Sequence, residues 1–164
     1  VIGMTHNRAN AMWSMGAAAT EGIVGMAEGG DTTPLDTEIE SSIASGAAGT
    51  LFIDDTNIKL SPGSESLTFT TSSDYPLVSV ASMVAPSPDW FVALNGQNLC
   101  PTGVFANELS FPLIVYDAGS DDGETFTSSN APRETQLPIN TLQSLPFYTG
   151  TEFRPVGFFH FRRQ

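Results

Sequence analysis

The spacing of apolar residues changes about a third of the way along the chain. In the first part it is helical. From Gly16 to Glu28 an alanine-rich stretch carries Ile23, Val24, Met26 and Ala27, the apolar face of an amphipathic helix, and Gly29-Gly30 ends it. A second short helix is predicted from Leu35 to Ala44. There Leu35, Ile39 and Ile43 recur every four residues, so they share a face. Pro34 suits the first turn, Thr33 the cap, and the acids near the N-terminal end suit the helix dipole. The glycine-rich stretch 45–49 closes this helix.

From Thr50 onward the pattern is that of strands. Runs rich in β-branched and aromatic residues predict strands over 51–53, 67–70, 77–84, 89–94, 108–116, 125–127 and 153–161. Pro112 lies within one of them and requires an edge or a bulge, because proline has no N–H to give a ladder. Asp54-Asp55-Thr56-Asn57, Ser61-Pro62-Gly63-Ser64 and Ser72-Ser73-Asp74 read as turns. No repeat and no linker divides the chain. The expectation is one mainly β domain over 1–164, an antiparallel β-sandwich with one or two short N-terminal helices over an edge or an end.

Composition narrows the partners. The 164 residues suffice for a core without staples. The net charge of −12, from 18 acids against 6 bases with Lys59 the only lysine, repels phosphate backbones and anionic lipid. Nucleic acid and bare membrane are therefore poor partners, and solubility alone also accounts for such a charge. No apolar run approaches the roughly 20 residues of a membrane helix. The chain starts at Val1 without a basic and apolar leader, so a signal peptide is expected to have been removed or left outside this sequence. Cys100 is the single cysteine. It excludes an intrachain disulfide and a Cys-based zinc site, and reads as a small buried apolar residue.

The candidate chemistry lies in two acidic segments. Asp89 follows Pro86-Ser87-Pro88 and precedes Trp90-Phe91, and Tyr116 leads into Asp117-Ala118-Gly119-Ser120-Asp121-Asp122-Gly123-Glu124. Both are turn settings at the ends of apolar runs, so Asp89, Asp117 and Asp121 can converge on one loop edge. Carboxylates that close repel unless a cation lies between them. Hard oxygen ligands on flexible loops suit Ca²⁺ better than a transition metal. The alternative is that these are solvated turn aspartates. The EF-hand pattern fails, because Gly119 occupies a ligand position and no glutamate stands twelfth from Asp117. Asp122 and Glu124 read as solvated charges.

Other residues carry plainer readings. Glu21 and Glu28, seven apart, could pair as the carboxylates of a glycosidase, but capping or pairing with Arg8 is the favoured use. His6 and His160 are the only histidines, and no G-x-S-x-G motif occurs. His6 is expected to be packed and hydrogen-bonded to backbone. Trp90 is expected to pack beneath the acidic loop and hold it. Arg162-Arg163 is too small for a nucleic-acid patch.

Several of these segments carry a resemblance. Met83-Val84-Ala85-Pro86-Ser87-Pro88-Asp89-Trp90-Phe91-Val92, then Asn98-Leu99-Cys100, then Val115-Tyr116-Asp117-Ala118-Gly119-Ser120-Asp121 resemble the spondin domain, the N-terminal type of F-spondin and mindin that also occurs in secreted bacterial proteins. His6, Met12-Trp13-Ser14-Met15-Gly16, Ala18-Ala19-Thr20-Glu21-Gly22 and Ala27-Glu28-Gly29-Gly30-Asp31 extend the match over nearly the whole chain. The resemblance implies a C2-like antiparallel sandwich and calcium ligands at Asp89, Asp117 and Asp121. It further implies a secreted, non-catalytic module of cell-surface or matrix adhesion, whose partner is a protein or glycan. Animal relatives pair the cysteine equivalent to Cys100 with others that are absent here. The family's usual first strand, of the type Y-x-V-x-F-x-x-x-W ahead of the His6 region, is also absent. Either the sequence starts inside a longer precursor, through processing or incomplete coverage, or another segment fills the open edge. Strand complementation by a second copy is one such case, and a self-assembling fibre subunit is therefore the alternative function. A metal-dependent enzyme would need an open coordination position beside a polar cleft, and no motif here asks for one.

Overall fold

The structure is a computed structural model, and it describes residues 1–8, 11–56, 58 and 62–164. Its elements in chain order are β1 (Ile2–His6), α1 (Glu21–Gly29), α2 (Leu35–Ala44), β2 (Ala48–Ile53), β3 (Leu77–Met83), β4 (Trp90–Asn98), β5 (Glu108–Leu113), β6 (Val115–Asp117), β7 (Asn140–Thr141) and β8 (Gly157–Arg162). The six-stranded sheet runs β2-β1-β3-β4-β6-β7, and β5 and β8 form a second, two-stranded sheet. Every pairing is antiparallel. The fold is mainly β and sandwich-like, as the strand spacing predicts.

The larger sheet is covered on both faces. On one side Ile2, Met4, Ala81, Phe91 and Ala93 pack with Ile23, Met26 and Ala27 of α1 and with Leu35 and Ile39 of α2. On the other, Val78, Val80, Trp90, Val92, Leu94 and Val115 meet Leu113, Phe111, Phe159 and Phe161 from the β5–β8 pair. Successive residues of β4 therefore feed opposite cores, which is why Trp90-Phe91-Val92-Ala93-Leu94 is apolar without a break. Pro112 sits in the two-stranded sheet opposite Phe158, at an edge where its missing N–H is tolerated.

Helix α2 caps the start of helix α1. Thr20 Oγ1 accepts the Ile23 N–H at 3.2 Å and donates to Glu38 Oε2 at 2.7 Å. Glu38 Oε1 takes the Gly22 N–H at 2.9 Å, so α2 caps the N-terminus of α1. Gly22 permits this approach, because a Cβ there would stand 2.5 Å from Leu35 Cα. At the far end Gly30 takes the left-handed conformation, φ 75°, and its N–H returns to Met26 O at 3.0 Å.

Several expectations are corrected. Helix α1 begins at Glu21, because Gly16 turns at φ +80° and Ala18 bridges Pro138. Thr33 does not cap α2. Pro34 stands at the cap, and the Thr33 hydroxyl donates to Asp36 Oδ2 at 2.7 Å. The predicted strand over 108–116 is two strands in two sheets, because the chain crosses between sheets at Ile114. Residues 67–70 pair with no strand among the described residues. They face edge strand β2 across a groove of about 430 Å³, with the Phe52 and Phe69 rings stacked at 4.4 Å. Residues 125–127 form a turn closed by Ser128 N–H to Thr125 O at 3.2 Å. The last strand begins at Gly157 rather than at residue 153. The turn readings at Asn57 and Ser61, and Lys59, lie outside the described residues.

Strand β1 stands where the sequence shows no strand pattern. All five of its residues are buried between β2 and β3, so neither face shows the polar alternation that marks a strand. Its polar residues are satisfied. The Thr50 N–H donates to Thr5 Oγ1 at 3.0 Å. His6 Nδ1–H donates to Asn7 O at 2.7 Å, and Nε2 lies 2.8 Å from Ser79 Oγ. His6 is thus the packed, backbone-bonded residue expected.

Candidate metal centre

The β4–β6 ladder assembles the acidic end of the molecule. Trp90 pairs with Asp117, and the Ala118 N–H donates to Asp89 O at 3.1 Å. Asp89, one residue before β4, is thereby set against the loop that leaves β6. That loop is organised by its own carboxylates. Asp117 Oδ1 accepts the Gly119 N–H at 2.8 Å, which turns the chain at Gly119, φ +77°. The N–H groups of Ser120 and Asp121 then both donate to Asp89 Oδ2, at 2.8 and 3.1 Å. Farther along, Asp121 accepts the Gly123 N–H on Oδ1 and the Ala131 N–H on Oδ2, each at 2.7 Å. The structure therefore brings Asp89, Asp117 and Asp121 to one end of the sheet, with Asp89 turned into the 117–121 turn.

Burial makes this arrangement electrostatically unusual. Asp89 is fully buried and Asp121 is 1% exposed. Asp89 Oδ1 is buried with no hydrogen-bond partner among the described residues, and stranding such an atom costs about 1–3 kcal/mol. The Asp117 carboxyl is pushed above its ordinary range, first by burial and then by the Asp89 and Asp121 charges, against the pull of the Gly119 N–H and Arg133. Arg133 does not fill the gap. It pairs with Asp122 at 2.5 Å and gives its Nε–H to Asp121 O at 3.1 Å.

The donors are oxygens alone, which suits a hard divalent ion. The orphaned Asp89 Oδ1 and the mutual repulsion of the carboxylates fit such an ion. Each Asp121 oxygen, with one N–H already, keeps a second lone pair. As they stand, no three His, Cys, Asp or Glu side chains among the described residues form a ready-made metal cage.

Sequence reasoning missed the residues that tie the loop down. Glu28 neither caps a helix nor pairs with Arg8. Its Oε1 accepts the Ser120 hydroxyl at 2.7 Å. Asp122 is ion-paired rather than simply solvated, while Glu124 is exposed, as expected. Trp90 packs edge-on against Phe126, at 5.2 Å, and Phe147, at 5.9 Å. Through Phe126 it holds the far limb of the acidic loop. Cys100 is half-buried rather than buried.

The direction of the Asp117 shift fixes a pH dependence for the metal-free protein. An acid whose folded pKa exceeds its unfolded value makes the folded state the better proton binder. Its contribution destabilises the fold above the folded pKa and is relieved as pH falls toward the ordinary carboxylate range. In chelator, Asp117→Asn should melt above the parent at neutral pH, with the gap closing as pH is lowered. Thermal melts of the pair across pH check this, and a gap independent of pH would contradict it.

Comparison with known proteins places the chain. The family profile Spondin_N matches residues 1–153. Spondin-1 of Homo sapiens is 31% identical over 160 residues, 90% of this chain and 20% of the relative. Spondin-1 of Gallus gallus matches to the same extent. Spondin-2 of Homo sapiens is 30% identical over 162 residues, 93% of this chain and 46% of the relative. The chain thus spans from a fifth to just under half of the length of these relatives. Since the profile covers almost all of the chain, and the mainly β antiparallel fold with two short helices agrees with it, the chain belongs to the spondin N-terminal domain family.

Proposed function

We propose that this chain is an extracellular, non-catalytic module of cell-surface or matrix recognition, built around one Ca²⁺ held by Asp89, Asp117 and Asp121. The observation that carries the reading is the buried, partnerless Asp89 Oδ1 beside a carboxyl whose proton affinity is raised first by burial and then by the neighbouring aspartates. The ion would supply the positive charge that Arg133, already engaged with Asp122 and the Asp121 carbonyl, does not give to Asp89. The chain's own part is to hold the turn in shape through the Asp89 Oδ2 and Asp121 hydrogen bonds. The fixed loop would then be the surface offered to a protein or glycan partner. The extracellular setting and the adhesive role rest on the family, and no helix among the described residues is long and apolar enough to cross a membrane.

Extracellular calcium modules bind at about 10⁻⁴ to 10⁻³ M, and that range is expected here. With free ion at about a hundred times Kd, mass action adds roughly 2.7 kcal/mol of stability. For a domain of this size that is a rise in Tm of about 5–10 °C. Thermal melts in calcium and in chelator, with a titration for stoichiometry, test it. An unchanged Tm with no bound ion overturns the reading.

The open groove between β2 and residues 67–70 favours the second reading, a fibre subunit that accepts a strand from another copy. Concentration-dependent filaments on size exclusion and in negative stain would support it. A monomer at all concentrations supports the recognition module.

A further inference from the structure

Helix α1 and the aspartate loop meet through one hydroxyl. Ser120 Oγ donates to Glu28 Oε1 at 2.7 Å across 92 positions of sequence, and the same oxygen lies 3.2 Å from Asp89 Oδ2. A serine hydroxyl carries one proton, and the shorter contact takes it. Glu28 therefore stands one hydroxyl away from the buried aspartate.

That is a poor place for an uncompensated carboxylate. Glu28 lies in the last turn of α1, where the negative end of the helix dipole opposes an acid, and no basic residue occupies that turn. The nearby guanidinium of Arg133 is already given to Asp122 and to the Asp121 carbonyl. A hydrogen bond between helix and loop needs only a neutral acceptor. A glutamate here adds a fourth negative charge to Asp89, Asp117 and Asp121, and makes sense where a cation collects that charge. Calcium sites tune their affinity through the number of charged ligands around the ion.

We propose that Glu28 is the fourth carboxylate of the cation site, a positioning residue that acts through Ser120 and couples the end of helix α1 to ion binding. This rests on the calcium reading above. It predicts that occupancy tightens the last turn of α1, which no spacing between the three aspartates would suggest.

Glu28→Gln tests it, because the amide keeps an oxygen for the Ser120 hydroxyl and loses the charge. In chelator the variant should melt at or above the parent, since a repulsive charge has gone. In calcium titrations its affinity should fall about tenfold, the lower end of what loss of a residue supporting the ligands costs a metal site. Hydrogen exchange at Met26–Gly29 should slow on adding calcium in the parent and not in Glu28→Gln. Ser120→Ala, which breaks the link and keeps the charge, should show the same loss of coupling with a smaller fall in affinity. A Glu28→Gln protein that melts lower in chelator and binds calcium as tightly as the parent makes Glu28 a structural acceptor and overturns the assignment. The parent titration tests the separate question of whether the site binds calcium at all.

Discussion

Asp89→Asn should abolish the calcium response while leaving the metal-free fold at least as stable as the parent. The two carboxyl oxygens of Asp89 have different jobs. Oδ2 organises the loop by accepting the Ser120 and Asp121 N–H groups, and an asparagine carbonyl can do the same. Oδ1 has no partner, and an amide placed there presents N–H donors where a cation would need a lone pair. The substitution also removes the charge that helps to raise the Asp117 carboxyl. In chelator the variant should therefore melt at or above the parent, and the shift of about 5–10 °C expected on adding calcium should vanish. Asp89→Ala separates the two roles. It strands two backbone N–H groups, each at a cost of about 1–3 kcal/mol, and should destabilise with or without calcium. If Asp89→Asn titrates calcium like the parent, the ion is not held at Asp89.

How much of this was legible in the sequence depends on how locally each feature is encoded. The bounds of α2 were readable because Leu35, Ile39 and Ile43 repeat at the helical period and Leu35 and Ile39 are buried by it. Strand β1 was invisible because both faces are covered, so Ile2-Gly3-Met4-Thr5-His6 carries no alternation. The split of 108–116 into β5 and β6 was equally hidden. Leu113 and Val115 enter the same core from different sheets, and an apolar run looks the same either way. At the site, the three aspartates stood out because each sits in a turn at the end of an apolar run. Glu28 and Ser120 did not, because the bond that joins them spans 92 positions and leaves no local pattern. The same holds for Arg133, whose partners Asp121 and Asp122 lie across a loop.

The loop itself should be most sensitive at a residue with no side chain. Gly119 adopts φ +77°, and a Cβ there would lie 2.2 Å from the carbonyl oxygen of Leu137 and 2.7 Å from its carbon. Those are backbone atoms, so no rotamer change relieves the overlap. The Leu137 N–H also donates to Gly119 O at 2.8 Å, which fixes the two segments at that distance. Gly119→Ala should therefore cost about 3 kcal/mol or more, from a left-handed alanine plus forced displacement of the loop, lowering Tm by roughly 6–12 °C. Gly103→Ala provides the reference. Gly103 has nearly the same conformation, φ +80°, with nothing within 4 Å of the added carbon, so it should lose only about 1–2 kcal/mol. The difference between the two variants measures the clamp between the turn and Leu137. Because Gly119 lies between Asp117 and the N–H groups that reach Asp89, displacing it should also remove the calcium response. In this it differs from Asp89→Asn, which loses the response at full stability. Equal losses in Gly119→Ala and Gly103→Ala would mean that the turn is free to move away from Leu137, and a pre-shaped cation loop could not then rest on it.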